Sequence, residues 1–571
     1  MSRGKYFKII LKGCGNSVYK KFISISIQKA IISLFELVGL AGLFSIITIL
    51  IEDSVLQQYI HHIDSFFGLG LSKSQFIVIA LTCVLLFFGL KNFLSYHIEF
   101  KSLKLADRII KSLNERIIRN FFAKGYWHFN DEKMFNLTHK AFVVPDQFGR
   151  RVVVAVWQLI SEFTILLFFV ILAFSSSFTF SALLIVLSIP VSAFALKKIN
   201  SKAKTLGQAR NEQQPKTARE LFDLFTGFIE MKIYNRSEQF IDQYLKSLGK
   251  LNKLKIKENR LSLLPKRILE ILTVVIIGLI YGFHIVGQKL GFNTNLMVDV
   301  SLLGLFGYKV LPGIARIIES MVQLGNTEIV RLTLYQNLER PQQIQFKELD
   351  TFKSLSLENI NFSFGEKRIL KNFSLSINRT DIIGIMGGSG TGKSTLAKII
   401  LGLIKADEGF FFINGNETQL HLNDSWQKKF GYIGADSFML DGTVSENIAF
   451  SKENINFKRV NRLLTECQLA EYKNNDINIG EVGSKLSTGL KQRLALARAL
   501  YQKPEILILD EFSSNLDYKN EDDLLELISS VVKKESTTVI IISHRPRTMR
   551  IAKKVYELEN GSFGLKTIKQ T

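Results

Sequence analysis

The chain has 571 residues, of which 47% are hydrophobic, and a formal net charge of +22. This composition is too apolar for an ordinary soluble enzyme of this length, so we expect several domains, one of them in a membrane. The excess of positive charge is typical of proteins that bind nucleic acid or a membrane surface, and the long apolar segments favour the membrane. The three cysteines are far apart and fit neither a disulfide framework nor a zinc site.

Six stretches are long and apolar enough to cross a bilayer. They cover roughly residues 24–51, 73–97, 152–174, 178–197, 268–288 and 296–318. Lysine and arginine concentrate before the first stretch and in the two long connections. The positive-inside rule therefore predicts a multi-pass protein of the inner (plasma) membrane with both termini in the cytoplasm. The basic arm leads into the first stretch without a small-residue cleavage site, which favours a retained span over a signal peptide.

The two long connections carry the apolar periodicity of helices. They predict spans that continue as long cytoplasmic helices, with breaks near Gly125 and Pro215 where a short transverse helix joins each pair. Residues 54–69 predict an amphipathic helix, which lies either in the outer membrane interface or packed on the spans.

After Pro341 the pattern changes to short strands that alternate with helices, which is typical of an α/β domain. The predicted fold class is an all-α membrane domain of six transmembrane helices joined to an α/β P-loop NTPase domain. The predicted parts are a cytoplasmic basic arm (1–23), the membrane domain (24–330), a linker (331–352) and the α/β domain (353–571).

The strongest motif of the α/β domain is G-x-x-x-x-G-K-S, set between an apolar strand and a helical pattern, which is the context of a P-loop. Its glycine backbone can approach phosphates, its lysine can neutralise them, and its serine hydroxyl can hold Mg²⁺. The predicted nucleotide-binding residues are Gly387, Gly388, Ser389, Gly390, Thr391, Gly392, Lys393, Ser394 and Thr395, with Ser394 also a metal ligand.

A second apolar strand ends in two carboxylates, Asp510 and Glu511. Downstream of a P-loop, Asp510 is predicted to hold Mg²⁺, and Glu511 to polarise the attacking water as a general base. The two motifs together predict hydrolysis of a nucleoside triphosphate.

Residues 486–493, Leu-Ser-Thr-Gly-Leu-Lys-Gln-Arg, resemble the signature motif of ATP-binding-cassette (ABC) proteins, and six spans followed by one cassette resemble a half-size ABC exporter. The resemblance implies ATP and Mg²⁺ as cofactors, ATP hydrolysis coupled to transport, and a dimer in which each signature meets the ATP of the opposite subunit. It also implies further site residues: Phe364 against adenine, His544 as a catalytic contact to the γ-phosphate, Asp517 in the loop that crosses the dimer, and Ser487, Thr488 and Gly489 in the signature.

Three positions, in two motifs, depart from the pattern of that family. Ala435 stands where the family has a glutamine that reaches Mg²⁺, and Thr488 and Leu490 replace the usual glycine and glutamine. Because the other catalytic residues are present, we expect slow ATP hydrolysis. A second copy of the same chain is the simpler partner, and Ala435 leaves a heterodimer open.

Lys309 and Arg316 lie two helical turns apart on one face of the sixth span. In a dimer they would surround one cavity with cations, which suits an anionic head group such as phosphate or pyrophosphate. The alternative is that they pair with acidic residues of the spans or reach the cytoplasmic interface. Residues 308–318, together with Phe35-Glu36, resemble PglK-type flippases of lipid-linked oligosaccharides, which implies an anionic glycolipid as the substrate.

The sequence leaves three functions open. They are a glycolipid flippase, a peptide, toxin, lipid or multidrug exporter of the same architecture, and a membrane protein that uses ATP only to change shape. Intact Glu511 and His544 argue against the last. Cassette ATPases that act on nucleic acid are soluble, so the six spans predict membrane lipids and not nucleic acid as partners.

Overall fold

The computed structural model describes residues 3–51, 72–176, 178–289, 309–338, 348–473, 477–480, 483–514, 516–559 and 562–566. The chain divides into two compact units. The helical unit contains residues Met1–Phe122 and Phe129–Pro341, and the cassette unit contains Ala123–His128 and Gln342–Thr571.

Helices longer than a membrane span dominate the helical unit, and shorter helices connect them. The described helices up to residue 338 are α1 (Arg3–Gly13), α2 (Asn16–Ile51), α3 (Lys73–Ala123), α4 (Tyr126–Asp131), α5 (Met134–Thr138), α6 (Val144–Gln147), α7 (Val154–Ser176), α8 (Phe178–Thr226), α9 (Phe228–Ile233), α10 (Ser237–Lys289), α11 (Leu311–Asn326) and α12 (Glu328–Leu338). Turns of π-helix at His139–Val143 and Phe148–Val153 join α5, α6 and α7.

Three helical stretches of the described residues are long and apolar enough to cross a membrane. They are Asn16–Gly39, Lys73–Ala123 and Met134–Ile171. The fourth and fifth predicted spans lie within α8 and α10, and the sixth is described only from residue 309 onward. The predicted amphipathic helix at 54–69 lies outside the described residues.

The predicted extension of the spans as long helices is confirmed, since α3, α8 and α10 contain 51, 49 and 53 residues. The predicted break near Gly125 is also confirmed. There α3 ends at Ala123, Gly125 adopts a φ of +79°, and α4 begins at Tyr126. Glycine reaches this left-handed conformation without the steric cost that a Cβ brings.

The break that was predicted near Pro215 is wrong, because α8 continues through Pro215 and the chain breaks at Gly227. A proline inside a helix removes one main-chain hydrogen bond. Bonds between α8 and α10 flank this position and offset that loss. Gln213 Nε2 donates to Ser247 Oγ over 2.7 Å, and the Thr217 hydroxyl lies 3.2 Å from the same oxygen.

A largely buried carboxylate, with 11% of its side chain exposed, joins several helices of this unit. Glu258 on α10 accepts hydrogen bonds from Arg210 Nη1 at 2.7 and 2.8 Å, from Asn326 Nδ2 at 3.0 Å and from Arg151 Nη1 at 3.3 Å. The donors lie on α8, on α11 and in the π-helical turn before α7. One side chain therefore fixes elements that are remote in sequence.

Residues 331–338, expected in the linker, form most of α12. Its Val330, Leu334 and Leu338 are buried in the same apolar cluster as Ile10 and Leu11 of α1. A helix that buries an apolar stripe every four residues packs as part of a domain.

The cassette unit contains two sheets and the helices that cover them. The strands are β1 (Ser354–Phe364), β2 (Lys367–Asn378), β3 (Ile382–Met386), β4 (Glu408–Ile413), β5 (Asn416–Glu417), β6 (Phe430–Gly434), β7 (Ile506–Asp510), β8 (Thr538–Ser543), β9 (Lys554–Glu559) and β10 (Ser562–Lys566). The main helices are α13 (Lys393–Ile400), α14 (Asp424–Gln427), α15 (Val444–Ala449), α16 (Phe457–Glu466), α17 (Thr488–Tyr501) and α18 (Tyr518–Glu535).

The smaller sheet is antiparallel, with the strand order β2-β1-β4-β5, and the larger has the order β10-β9-β3-β8-β7-β6. In the larger sheet, β9, β3, β8, β7 and β6 run parallel to one another, and β10 pairs antiparallel with β9. Every residue of β7 and β8 is buried, as expected for parallel strands covered on both faces. The carboxyl ends of β3, β8, β7 and β6 therefore meet at one edge, where ligands bind in open α/β sheets.

Candidate nucleotide-binding site

The loop after β3 is shaped by glycines that no other residue could replace without strain or collision. Gly390 and Gly392 adopt φ values of +80° and +101°. A Cβ on Gly387 would lie 2.6 Å from the Leu558 carbonyl oxygen, and one on Gly392 would lie 2.6 Å from Ile369 Cγ2. The backbone N–H groups of the loop precede α13, so they and the helix N-terminus can bind anionic oxygens.

Lys393 lies inside this loop, with 4% of its side chain exposed. Its Nζ donates to the carbonyl oxygens of Gly387 at 3.0 Å and Gly388 at 2.7 Å. The Nζ of Lys393 therefore lies at the place where the loop can receive phosphates. The adjacent Ser394 hydroxyl lies 3.5 Å from Asp510 Oδ1, at the end of β7.

Asp510 is 6% exposed. Burial raises the pKa of this carboxyl, and the neighbouring Glu511 carboxylate raises it further. A serine hydroxyl and a carboxylate are the hard oxygen donors that Mg²⁺ accepts, with the remaining positions left to phosphates and water. The loop, the lysine and this oxygen pair therefore fit ATP together with Mg²⁺.

Glu511 follows β7 with a φ of +52°, a conformation that non-glycine residues rarely adopt. Its N–H donates to the Ile542 carbonyl over 2.8 Å, which fixes the backbone there. Glu511 Oε1 lies 3.8 Å from Lys393 Nζ and 3.7 Å from His544 Nδ1. The strained backbone directs the carboxylate between the lysine and the histidine. Strained backbone conformations of this kind are common at active sites.

Phe364 ends β1 and is 56% exposed. Trp127, from the short segment of the cassette unit that precedes residue 129, lies with its ring centroid 5.5 Å from that of Phe364. The same indole stacks on Phe362 at 6.3 Å with an interplanar angle of 9°. Sequence reasoning missed Trp127, which lies more than two hundred residues before Phe364.

The signature residues lie at the start of α17, where Ser487 is the N-cap and its Oγ accepts from Leu490 N at 3.4 Å. Asp517 likewise caps α18, since its Oδ1 accepts from Asn520 N at 2.8 Å. The described bonds of both side chains stay within their own helices. Thr488 and Gly489 form the first turn of α17, which lies apart in sequence from the glycine loop of the same chain.

Arg545, next to His544, was also missed from the sequence. Its guanidinium donates to the carbonyl oxygens of Ser513 at 3.0 Å and Ser514 at 2.7 Å, and to Glu521 Oε2 at 3.2 Å. Glu521 is fully buried. The arginine therefore holds the loop between β7 and α18. This role depends on contacts with residues distant in sequence, so a search for catalytic residue types does not find it.

The two cations that were predicted to hold a substrate each have an acidic partner in the helical unit. Lys309 Nζ lies 2.5 Å from Glu36 Oε1, and Lys91 Nζ lies 3.9 Å from the same oxygen. Arg316 pairs with Glu162 through Nε at 2.5 Å and Nη2 at 3.1 Å. Pairing with acidic residues of the spans, the alternative considered above, is the arrangement found.

The fold and this site define a P-loop ATPase of the cassette type, joined to a helical membrane domain. The ABC transporter family model matches residues 370–514. An ABC transporter ATP-binding/permease protein of Haemophilus influenzae is 27% identical over 352 residues, which are 59% of this chain and 62% of that protein. An ATP-dependent lipid A-core flippase of Francisella tularensis subsp. holarctica is 23% identical over 471 residues, 80% of this chain and 76% of that protein.

The fold is also similar to the solved structure of a bacterial Atm1-family ABC exporter with ATP bound. The two share 18% sequence identity and a TM-score of 0.73, over 96% of this chain and 94% of the other. The C-terminal half therefore contains an ABC transporter cassette, and the chain has the architecture of a half-size ABC exporter. Cassettes of this family hydrolyse ATP with Mg²⁺ to drive transport, so the chain is an ATPase with ATP and Mg²⁺ as its cofactors.

Proposed function

We propose that two copies of this chain form an ATP-driven exporter in the inner membrane, with both termini in the cytoplasm. The observation that carries this proposal is the convergence of Lys393, Asp510, Glu511 and His544 at one edge of the sheet. Ser487 caps a second helix N-terminus that can bind an anion. Its described hydrogen bond is to Leu490 of the same helix. A partner copy would bring its Ser487 to the nucleotide held by Lys393.

In this proposal each residue acts through its chemistry. Lys393 exchanges its bonds to loop carbonyls for bonds to the β- and γ-phosphate oxygens. Ser394 and Asp510 would hold Mg²⁺, which when bound would neutralise charge on those phosphates. Glu511 accepts a proton from the attacking water, and His544 orients Glu511 and the γ-phosphate. Phe364 offers an exposed aromatic face for stacking on adenine.

The test of the ATPase proposal is turnover by the purified full-length protein in lipid. Glu511→Gln keeps the shape of the side chain and removes the base, so ATP turnover should fall about 100-fold or more. The matched control is Glu526→Gln, an exposed carboxylate on α18, which should hydrolyse ATP at the unaltered rate. Equal rates for the unaltered protein and Glu511→Gln would refute the assigned role.

The test of the two-copy site is a disulfide between chains. Chains carrying Ser389→Cys are co-expressed with chains carrying Ser487→Cys, and ATP should promote a cross-link between them in the Glu511→Gln background. Ser376→Cys on the exposed surface of β2 replaces Ser389→Cys in the control and should give no cross-link. Absence of the cross-link in this background, although the same cysteine pair hydrolyses ATP when Glu511 is restored, would contradict a shared nucleotide site.

We further propose an anionic amphipathic substrate, most specifically a lipid-linked oligosaccharide. Two observations support it. One relative is an ATP-dependent lipid A-core flippase, which supports a lipid substrate for this chain. Among the described residues of the helical unit, Lys309 and Lys91 both pair with the carboxylate of Glu36, so two cations face one anion there. Arg316, by contrast, is neutralised by the two-bond pair with Glu162.

This difference sharpens the substrate test. In vesicles loaded with a polyprenyl-diphosphate oligosaccharide, Lys309→Gln should abolish translocation, whereas Glu36→Gln should retain it and bind the lipid more tightly, because the lysines then lack their competing anion. If the pair only holds helices together, both variants lose translocation to the same degree. Arg316→Gln should impair translocation if this arginine also contacts the diphosphate. Lys204→Gln, which breaks an ion pair with Glu328 elsewhere in the unit, is the control.

Undiminished glycolipid translocation in the Lys309→Gln variant would end the lipid proposal. The same vesicles then test the alternative cargo, since a peptide or drug that raises ATP turnover identifies an exporter of another class. Tagged termini that a membrane-impermeant protease cuts only from the cytoplasmic side test the proposed orientation.

A further inference from the structure

The end of strand β6 lies beside the metal-binding carboxylate of β7. In the parallel register Gly434 pairs with Asp510, and Tyr432 lies two residues earlier on the same face. At the end of this strand, Gly434 and Ala435 carry no polar side-chain atom. Tyr432 is therefore the residue of this strand end that can reach Asp510.

The two oxygens of Asp510 have different partners. Oδ1 lies 3.5 Å from the Ser394 hydroxyl, and Oδ2 accepts from the Tyr432 hydroxyl at 3.4 Å. One oxygen thus faces the serine of the glycine loop, and the other is held from the opposite side. A bond from outside the metal site to a ligating carboxylate fixes the plane of that carboxylate and so orients its free oxygen.

Gly434 provides the space for this contact. A Cβ at position 434 would lie 3.0 Å from the Tyr432 hydroxyl oxygen and 3.3 Å from its Cε1. The phenol therefore passes directly over the glycine to reach Asp510. Any side chain at 434 would displace the hydroxyl by some tenths of an ångström.

The hydroxyl acts as the donor in this contact. A carboxylate oxygen can only accept, so the phenol O–H of Tyr432 donates to Oδ2 of Asp510.

We propose that Tyr432 is a positioning residue, which holds Oδ2 of Asp510 so that Oδ1 and the Ser394 hydroxyl present a preformed pair of oxygens to Mg²⁺. This inference rests on the proposed function of the cassette as a Mg²⁺-ATP site. Partners of metal ligands in such positions contribute about 10-fold or more to metal affinity. The effect is expected on the metal and not on the nucleotide itself, since Tyr432 makes no described bond to the glycine loop.

The test measures binding rather than turnover. A fluorescent ATP analogue is titrated into the full-length protein with EDTA and then with Mg²⁺, and Mn²⁺ binding in the presence of nucleotide is followed by its electron paramagnetic resonance signal. In Tyr432→Phe, affinity for the analogue in EDTA should be unchanged, whereas the gain from Mg²⁺ should fall about 10-fold and Mn²⁺ should bind about 10-fold more weakly.

A second variant removes the contact without removing the hydroxyl. Gly434→Ala places a methyl group against the phenol and should lower the Mg²⁺-dependent gain in the same direction. The matched control is Tyr501→Phe. It also removes a tyrosine hydroxyl, but the described bond of that hydroxyl is from Asn456 N and not to Asp510. It should behave as the unaltered protein.

The outcomes separate the two proposals. If the unaltered protein gains no affinity from Mg²⁺, the proposed function of the site fails and this inference fails with it. If the unaltered protein gains affinity and Tyr432→Phe gains as much, only the role of Tyr432 is overturned. Loss of affinity in EDTA as well would also overturn it, because the side chain would then support the whole site rather than the metal carboxylate.

Discussion

Replacement of Arg545 by alanine should destabilise the cassette unit far more than replacement of its neighbour Arg547. The Arg545 guanidinium donates to the main chain at Ser513 and Ser514 and to Glu521, a carboxylate that is 0% exposed. Without the arginine, this buried charge loses its ionic partner, and the loop between β7 and α18 loses its anchor.

The magnitude follows from the burial of Glu521, since the side chain of Arg545 is itself 29% exposed. Breaking a buried ion pair costs about 3–5 kcal/mol. Glu521 would keep its bonds from the hydroxyls of Ser513 at 2.9 Å and Thr548 at 2.6 Å, so we expect the lower end, about 3 kcal/mol. At about 2–4 °C per kcal/mol for a unit of this size, the unfolding transition of the cassette should fall by roughly 6–12 °C.

Arg547→Ala is the matched control. Arg547 pairs with Asp522 at the surface, with Nε 2.8 Å from Oδ1. Because both groups are exposed to solvent, this surface pair adds little to stability, so the transition should fall far less than in Arg545→Ala. The assay is thermal unfolding of the full-length protein in detergent, with the cassette transition recognised by its upward shift when Mg²⁺-ATP is added. A shift that is equal in the two variants, or a shift below about 1 °C in Arg545→Ala, would refute the reasoning.

Three further predictions test other parts of the structure. Gly392→Ala should lose binding of ATP analogues by at least about 10-fold, because the new Cβ collides with Ile369 and must adopt a left-handed φ; unchanged affinity in a fluorescence titration would contradict this. Cys467 is buried and its pKa is raised by burial to about 12, so only about one thiol in 10⁴ is ionised at pH 8. Mass spectrometry should find it alkylated by N-ethylmaleimide only after unfolding, and native labelling would show that the core opens. Glu258→Gln leaves the buried charge of Arg210 without its partner, so the helical unit should lose about 3 kcal/mol and aggregate at lower temperature in detergent, which light scattering measures.

Much of the cassette could be predicted because its motifs are local. A glycine-rich loop needs particular residue types at fixed spacing, and a buried parallel strand that ends in Asp-Glu is visible in a short window. The long helices were equally visible in their periodicity. The break near Pro215 was predicted wrongly. The sequence shows the main-chain hydrogen bond that proline removes, but it does not show the bonds of Gln213 and Thr217 to Ser247 on another helix.

The sequence by itself determined the residue types of the phosphate-binding loop, the strand that carries Asp510 and Glu511, and the existence of long apolar helices, since each depends on neighbours within a few turns or strands. Only the tertiary structure decided which distant side chains complete them. It placed Tyr432 on Asp510 across Gly434, and Arg545 on the loop after β7. It also gave Lys309 an acidic partner from more than two hundred residues away. Such pairings depend on how elements pack, and packing energy is a property of the whole fold that no short window of sequence contains.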